Sequence, residues 1–301
     1  MPTPVVLDCD PGHDDAIAIL LAAGSPEIDL RAITTVAANQ TLGKVTLNAQ
    51  RICSAAGISV PIAKGCAKPL VRPLHVAEDI HGESGMDGPA FGALSVGVVE
   101  HHAIDVMHAN MPATLVATGA LTNVAMYLQR YGTSAVREIV LMGGSTERGN
   151  TTPYAEFNIH VDPEAAAIVF GSGVPVTMVG LNVTHQALVT PEVVARLNAL
   201  GSLGRICGEL MTFFAATYRE VFGFEAPPLH DPVAVARVID PSLVTCVDAF
   251  VGIETIGTFT RGATVVDLHG RTREPPNARV AVGLDVERFF EVVIEAVKAL
   301  S

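Results

Sequence analysis

Four aspartates fall within residues 8–15, in the run Asp8-Cys9-Asp10-Pro11-Gly12-His13-Asp14-Asp15. If three ionised carboxylates from such a run met at ~4 Å, each pair would repel by ~1 kcal/mol in water and by ~4 kcal/mol at an effective dielectric of about 20. A cation removes that conflict. The competing account has the acids pointing separately into water, or capping a helix that starts near Ala16, where the positive end of the helix dipole favours anions. Pro11-Gly12 weighs against it, because a tight turn between acids aims their side chains in fixed directions. Carboxylates outnumber the single Cys and the single His of this run, and they are hard oxygen ligands, which select calcium or magnesium over zinc.

Two further segments carry polar groups suited to chemistry. The loop from Gly143 to Asn158 brings Asn150, Glu156 and Asn158, whose amide donors and carboxyl acceptors make the mixture that grips a polyol such as a sugar. Surface loops also hold such residues without function. Leu229-His230-Asp231-Pro232 precedes a helical run from Val233 to Ile239. Asp231 has the plain reading of an N-cap with Pro232 at the first helical position. The adjacent His230 is less easily dismissed, since an unperturbed imidazole pKa of ~6.5 allows proton donation near neutrality.

The elements that must position these residues follow from hydrophobic periodicity. Val5-Val6-Leu7 reads as a buried strand, followed by a helix from Ala16 to Ala23 ended by Gly24. Leu30 to Val36 reads as a strand, then Leu42 to Ala56 as a helix stopped by Gly57. Ala113 to Val116 is a strand feeding a helix from Leu121 to about Arg130. Glu138 to Met142 is another strand, Asp162-Pro163-Glu164 opens a helix, and Val174 to Val179 is a further strand. The alternation predicts an α/β fold: a mainly parallel central sheet flanked by helices on both faces. Pro191 to Phe222 reads as a helical cap. Phe250 to Val282 reads as a small C-terminal strand region, before a closing helix near Val286 to Leu300. The expectation is a single domain over residues 1–301, without repeats or a polar linker.

In open α/β sheets the carboxyl ends of the strands share one edge, and ligands bind there. The acidic run, Asn39, Thr118-Gly119 and Gly143-Gly144 each follow a predicted strand, so segments distant in sequence converge on one site.

Composition narrows the function classes. The chain has 301 residues, 49% hydrophobic and 17% charged, enough aliphatic surface for a large core and unlike a disordered or disulfide-built protein. Nineteen basic against 31 acidic residues leave a net charge of −12. Without clustered Lys and Arg, neither nucleic acid nor an anionic membrane is an expected partner. No run approaches the ~20 apolar residues of a spanning helix. The start lacks a basic region, and Asp8 and Asp10 interrupt its apolar run, which makes a poor signal peptide. Five scattered cysteines without C-x-x-C fit reduced thiols. The expected location is the cytoplasm.

Taken together, in this order and at these separations, the segments resemble the inosine-uridine-preferring nucleoside hydrolase family. The similarity runs essentially from end to end, and includes His81-Gly82-Glu83-Ser84-Gly85 and Asp162-Pro163-Glu164-Ala165-Ala166. By that resemblance, Asp10, Asp15, the backbone carbonyl of Thr118 and Asp231 would hold one calcium ion, which would also bind a water and the ribose 2′- and 3′-hydroxyls. Asp14, Asn39, Asn150, Glu156 and Asn158 would take ribose hydroxyls. Asp10 would be the general base, His230 would assist departure of the nucleobase, and His81 is a further catalytic candidate, with the choice of which histidine protonates the leaving base left open. His81 and the stretch Gly85-Met86-Asp87-Gly88-Pro89 look like the pyrimidine-preferring bacterial branch. That branch places polar residues on the helix before His230. Phe214, Tyr218 and Phe222 stand at the corresponding positions, at the spacing of a packed helix face, and Tyr218 is the better base contact because its hydroxyl donates or accepts. The resemblance further implies a homo-oligomer, dimer or tetramer.

The chemistry explains those residue types. Breaking an N-glycosidic bond puts positive charge on the ribose, an oxocarbenium-like state stabilised by nearby carboxylates. Several protein oxygens, a water and two hydroxyls suit calcium better than octahedral magnesium. Two rivals remain at this point. Asp8-Cys9-Asp10 also fits the start of haloacid-dehalogenase-type phosphatases, but no lysine follows a strand as those magnesium enzymes require. A nucleoside-binding protein without catalysis would need the diol grip but not Asp10, Asp15, Asp231 and His230 together.

Overall fold

The computed structural model describes all of residues 1–301. Its strands are β1 (Thr3–Cys9), β2 (Ile28–Thr35), β3 (Ile62–Lys64), β4 (Ala113–Ala117), β5 (Val136–Met142), β6 (Val176–Val179), β7 (Val244–Ile253), β8 (Thr264–Asp267) and β9 (Ala278–Leu284). They form one nine-stranded sheet in the order β3-β2-β1-β4-β5-β6-β9-β7-β8. Neighbours are parallel from β3 across to β9, while β7 runs antiparallel to β9 and to β8. The C-terminal strand region is therefore the far edge of the same sheet.

The helices are α1 (His13–Gly24), α2 (Leu42–Ala56), α3 (Glu78–His81), α4 (Ala103–Ala109), α5 (Thr122–Tyr131), α6 (Phe157–Val161), α7 (Pro163–Phe170), α8 (Leu181–Thr184), α9 (Pro191–Asn198), α10 (Gly201–Phe222), α11 (Asp231–Ile239) and α12 (Val286–Ala299). Strand alternation assigns them to layers. Val5, Leu7 and Cys9 of β1 face a core shared with α1, α2, α10, α11 and α12. Val6 faces the opposite core, shared with α4, α5 and α7. With both faces covered, the central strands need continuous apolar runs rather than alternation. No helix is long and apolar enough to cross a membrane.

Local signals hold at several ends. Gly57 takes the left-handed conformation (φ +66°) that stops α2. Asp162 caps α7 by accepting from Ala165 N at 3.0 Å, with Pro163 in the first turn. One boundary differs from the sequence reading. The first helix starts at His13 rather than Ala16, because Asp15 accepts from Gly12 N at 3.0 Å and satisfies a donor at the helix N-terminus. Asp14 and Asp15 thereby sit in the first turn of α1, and Asp10 in the link just before it.

The winding of the sheet sets where these acids point. From β1 the chain runs outward through β2 and β3, then returns to β4 on the other side of β1 and continues to β6. That reversal opens a crevice beyond the carboxyl ends of β1 and β4. Register places Asp8 opposite Ala117, so the loop carrying Asp10 lies beside Thr118-Gly119.

Candidate active site

A cleft of about 210 Å³ opens over this crevice. Its walls carry Asp14, Asn39, His81, Thr118, Asn150, Glu156, Asn158, Tyr218, His230 and Asp231, ten of the residues singled out from the sequence. Asp10 and Asp15, both fully buried, lie in the floor beneath.

The floor is a web of carboxylates and their donors. Asp15 accepts from Gly12 N at 3.0 Å, Thr118 Oγ1 at 2.8 Å and Asn39 Nδ2 at 3.1 Å. Asp10 Oδ2 accepts from Asn39 N at 2.6 Å, whereas Asp10 Oδ1 is buried with no hydrogen-bond partner. Asp14, Asp15 and Asp231 bring carboxylate oxygens within 4.8 Å of one another. The tightest acidic group thus includes Asp14, which the sequence reading kept for ribose, with Asp10 alongside it. Asp231 is the first residue of α11, with His230 as the N-cap residue, so the plain N-cap reading of Asp231 does not hold. Its carboxyl turns into the acidic group.

Burial, and then the neighbouring acids, lift Asp10 and Asp231 well above the usual carboxylate range, and Asp14 to about 7. Burial likewise raises Asp15. Acids so placed hold protons that a cation can displace. An orphaned buried carboxylate oxygen among four buried aspartates fits a hard divalent ion.

The opposite wall is built by the start of α6. Glu156 accepts from Gly144 N and Asn158 N, both at 2.9 Å, and from Ile159 N at 3.1 Å, and burial pushes its carboxyl up to about 7. It is a helix cap and a cleft residue at once. Asn150 Oδ1 accepts from Phe157 N at 2.9 Å, which leaves its amide donors for the cleft. Asn158 Nδ2 donates to Thr118 O at 2.7 Å and to Met142 O at 3.1 Å, tying this wall to β4 and β5. Its carbonyl stays available.

At the outer end the aromatic stripe of α10 faces both ways. Phe214 and Tyr218 belong to the core and also line the cleft, where Phe222 joins them. The Tyr218 hydroxyl lies 2.8 Å from His230 Nε2, and Thr184 Oγ1 lies 2.7 Å from His230 Nδ1. Both nitrogens of His230 are therefore engaged, and burial lowers its pKa to about 3. Burial, then the neighbouring His13 and His230, also lowers His81. Sequence reasoning missed Thr184 and His13, whose partners lie far along the chain. It also missed His75 and Asp79, which line the cleft between β3 and α3 and at the start of α3.

Residues 5–291 match the family model for inosine-uridine preferring nucleoside hydrolases. The chain belongs to that family. It is a nucleoside hydrolase, an N-glycosyl hydrolase acting on ribonucleosides. Among relatives of this hydrolase, a protein of Escherichia coli named pyrimidine-specific ribonucleoside hydrolase RihA is 46% identical over 308 residues, covering 99% of each chain. The protein of the same name from Photobacterium profundum is 44% identical over 305 residues, covering 98% of each. The solved purine-preferring ribonucleoside hydrolase of Gardnerella vaginalis superposes with a TM-score of 0.92 at 32% identity, over 99% of each chain. A plant nucleoside hydrolase superposes at 0.90 with 32% identity, also over 99% of each. The nucleoside hydrolase fold is thus present from end to end, with the acidic floor at its sheet crevice.

Proposed function

We propose that this enzyme is a calcium-dependent hydrolase that prefers pyrimidine ribonucleosides, releasing uracil or cytosine and ribose. The observation that carries the reading is the convergence of Asp10, Asp14, Asp15 and Asp231 beneath a wall of Asn39, Asn150, Glu156 and Asn158. Acids on one side and amides on the other suit a polyhydroxylated ring that gains positive charge. Asp10, Asp15, the Thr118 carbonyl and Asp231 are the residues to hold calcium, with Asp14 close enough to share the site. When bound, the ion supplies a hard Lewis acid that acidifies a water and anchors a ribose diol.

The remaining work falls to the protein. Asp10 accepts the proton of the attacking water, through the oxygen that has no protein partner. Asp14, Asn39, Asn150, Glu156 and Asn158 take the ribose hydroxyls and hold the ring for attack at C1′. His230 acts on the departing base through the Tyr218 hydroxyl, since its own nitrogens face Tyr218 and Thr184. His81, which also lines the cleft, is left to contact the base. The cleft walls carry no Lys or Arg, which suits a nucleoside better than a 5′-phosphate.

The relatives at 44–46% identity are named as pyrimidine-specific, and the solved neighbour at 32% as purine-preferring, which supports uridine and cytidine as substrates. We place the whole chain in one hydrolase domain, in the cytoplasm on the strength of five unpaired thiols, and in a dimer or tetramer by family resemblance. Reducing sugar released from uridine, cytidine, inosine and adenosine tests the reading. It expects kcat/KM for the pyrimidine nucleosides to exceed that for the purine nucleosides by at least about ten-fold, a difference of about 1.4 kcal/mol. Equal or reversed rates would overturn the base preference, and bound but uncleaved uridine the reaction itself.

A further inference from the structure

His13 follows Gly12 at the entry to α1, and its imidazole is buried against three other rings. It stacks on Phe213 and Phe214 with interplanar angles of 2° and 6°, and on His81 at 21°. Gly12 permits the approach of His81, since a Cβ there would meet His81 Nδ1 at 2.5 Å. The two imidazoles face each other through Nδ1 and Nδ1 at 3.2 Å.

A hydrogen bond needs one donor and one acceptor, so the two Nδ1 atoms must differ in protonation. The other nitrogen of His13 decides which is which. His13 Nε2 lies 2.8 Å from the carbonyl of Asp87, a group that only accepts. The proton of an uncharged His13 therefore sits on Nε2, and its Nδ1 presents a lone pair. His81 must then carry its proton on Nδ1. The His13 backbone N–H, 3.4 Å from His81 Nδ1, is a long contact that this arrangement gives up. The carbonyl itself is held in place, because the Asp87 carboxylate accepts from Glu83 N at 3.0 Å and Ser84 N at 3.1 Å and pins the turn after α3. His81 Nε2 has no partner within the chain, and His81 lines the cleft.

We propose that His13 is a positioning residue that fixes His81 in the tautomer protonated on Nδ1, so that His81 Nε2 accepts a hydrogen bond from an N–H of the nucleobase. The inference rests on the nucleoside-hydrolase reading of the cleft. It gives the two cleft histidines separate tasks: His81 recognises the base, and the Tyr218–His230 pair assists its departure.

Two measurements test it. Histidine-selective ¹⁵N labelling with long-range proton correlation at neutral pH reads the tautomer, with His81→Asn used to assign the signal. The expected result is a His81 proton on Nδ1 in the wild type and a shift toward Nε2 in His13→Phe, which keeps the stack but has no nitrogen. Kinetics compare uridine with p-nitrophenyl riboside, whose leaving group has no N–H and departs without protonation. In His13→Phe, kcat/KM for uridine should fall by about ten-fold relative to the nitrophenyl substrate, the loss of one buried hydrogen bond. His13→Asn, which keeps an acceptor near the Nδ1 position, should restore most of that ratio. A His81 proton on Nε2 in the wild type would overturn the proposal. So would an unchanged ratio in His13→Phe, or parallel loss of both substrates. A wild-type protein that cleaves neither substrate would instead defeat the hydrolase reading, with the tautomer measurement still deciding this one.

Discussion

Like Asp8 in β1, Asp10 keeps one carboxylate oxygen buried and unbonded, and beside the cleft floor the backbone of Asn39 occupies its other one. An unpaired buried oxygen is costly unless a ligand completes it, so this atom is where water and ion should meet. Asp10→Ala should reduce turnover on every nucleoside by about 10²–10⁴-fold, the usual worth of a general base, as measured by reducing-sugar release. His230→Ala should do less, and unequally. Its loss should be larger for uridine than for p-nitrophenyl riboside, because only the former needs help with its leaving group. Equal losses on both would place His230 in ribose positioning instead. The aspartates were legible because four of them share a turn with Pro and Gly. His13 and Thr184 were not, because nothing in their own neighbourhood signals a histidine ring from α3 or α11.

At the scale of elements, the strand ends that flank the crevice carry the design. Gly119 follows β4, and a Cβ on it would run into Asp10 Oδ1 and crowd Val36. Gly119→Ala should therefore weaken metal binding and activity together, by at least about ten-fold, while leaving the far-ultraviolet circular dichroism spectrum unchanged. Calorimetric titration with calcium checks it, and wild-type affinity would show that the loop yields without disturbing Asp10. The periodic elements were readable in advance: α2 with its stop at Gly57, α7 with its Asp162 cap, and the buried run of β1. Less readable were the short α3 and α8, each a single turn without a periodic face, and the start of α1, where a side chain replaces the usual cap. The joining of β7, β8 and β9 to the main sheet depends on pairing between distant segments, which local patterns do not encode.

Across the whole molecule, the same acids link protonation, metal and stability. Asp8 and Glu156 as well as Asp14 are raised by burial to about 7, and Asp10, Asp15 and Asp231 are raised in the same direction. A carboxyl whose pKa is higher folded than unfolded stabilises the fold fully below its unfolded value near 4, and that stability is lost as pH rises through the folded value. The metal-free protein should accordingly lose thermal stability from pH 5 to pH 8. The proposed calcium would bind the deprotonated floor, so its stabilisation should grow over the same interval. It reaches about 2.7 kcal/mol when free ion exceeds Kd a hundred-fold. Scanning calorimetry with and without calcium at both pH values checks the sign. A larger calcium effect at pH 5 would contradict it.

The central claim is that buried aspartates from the link after β1, from α1 and from the start of α11 hold a divalent ion on which nucleoside cleavage depends. Its most direct test is uridine hydrolysis by protein stripped with a chelator and then titrated with calcium. Activity should vanish on stripping and return in proportion to bound ion, saturating at one per chain, with ribose and uracil released in equal amounts. Full activity in the stripped protein, or calcium bound at saturation without return of activity, would contradict the account.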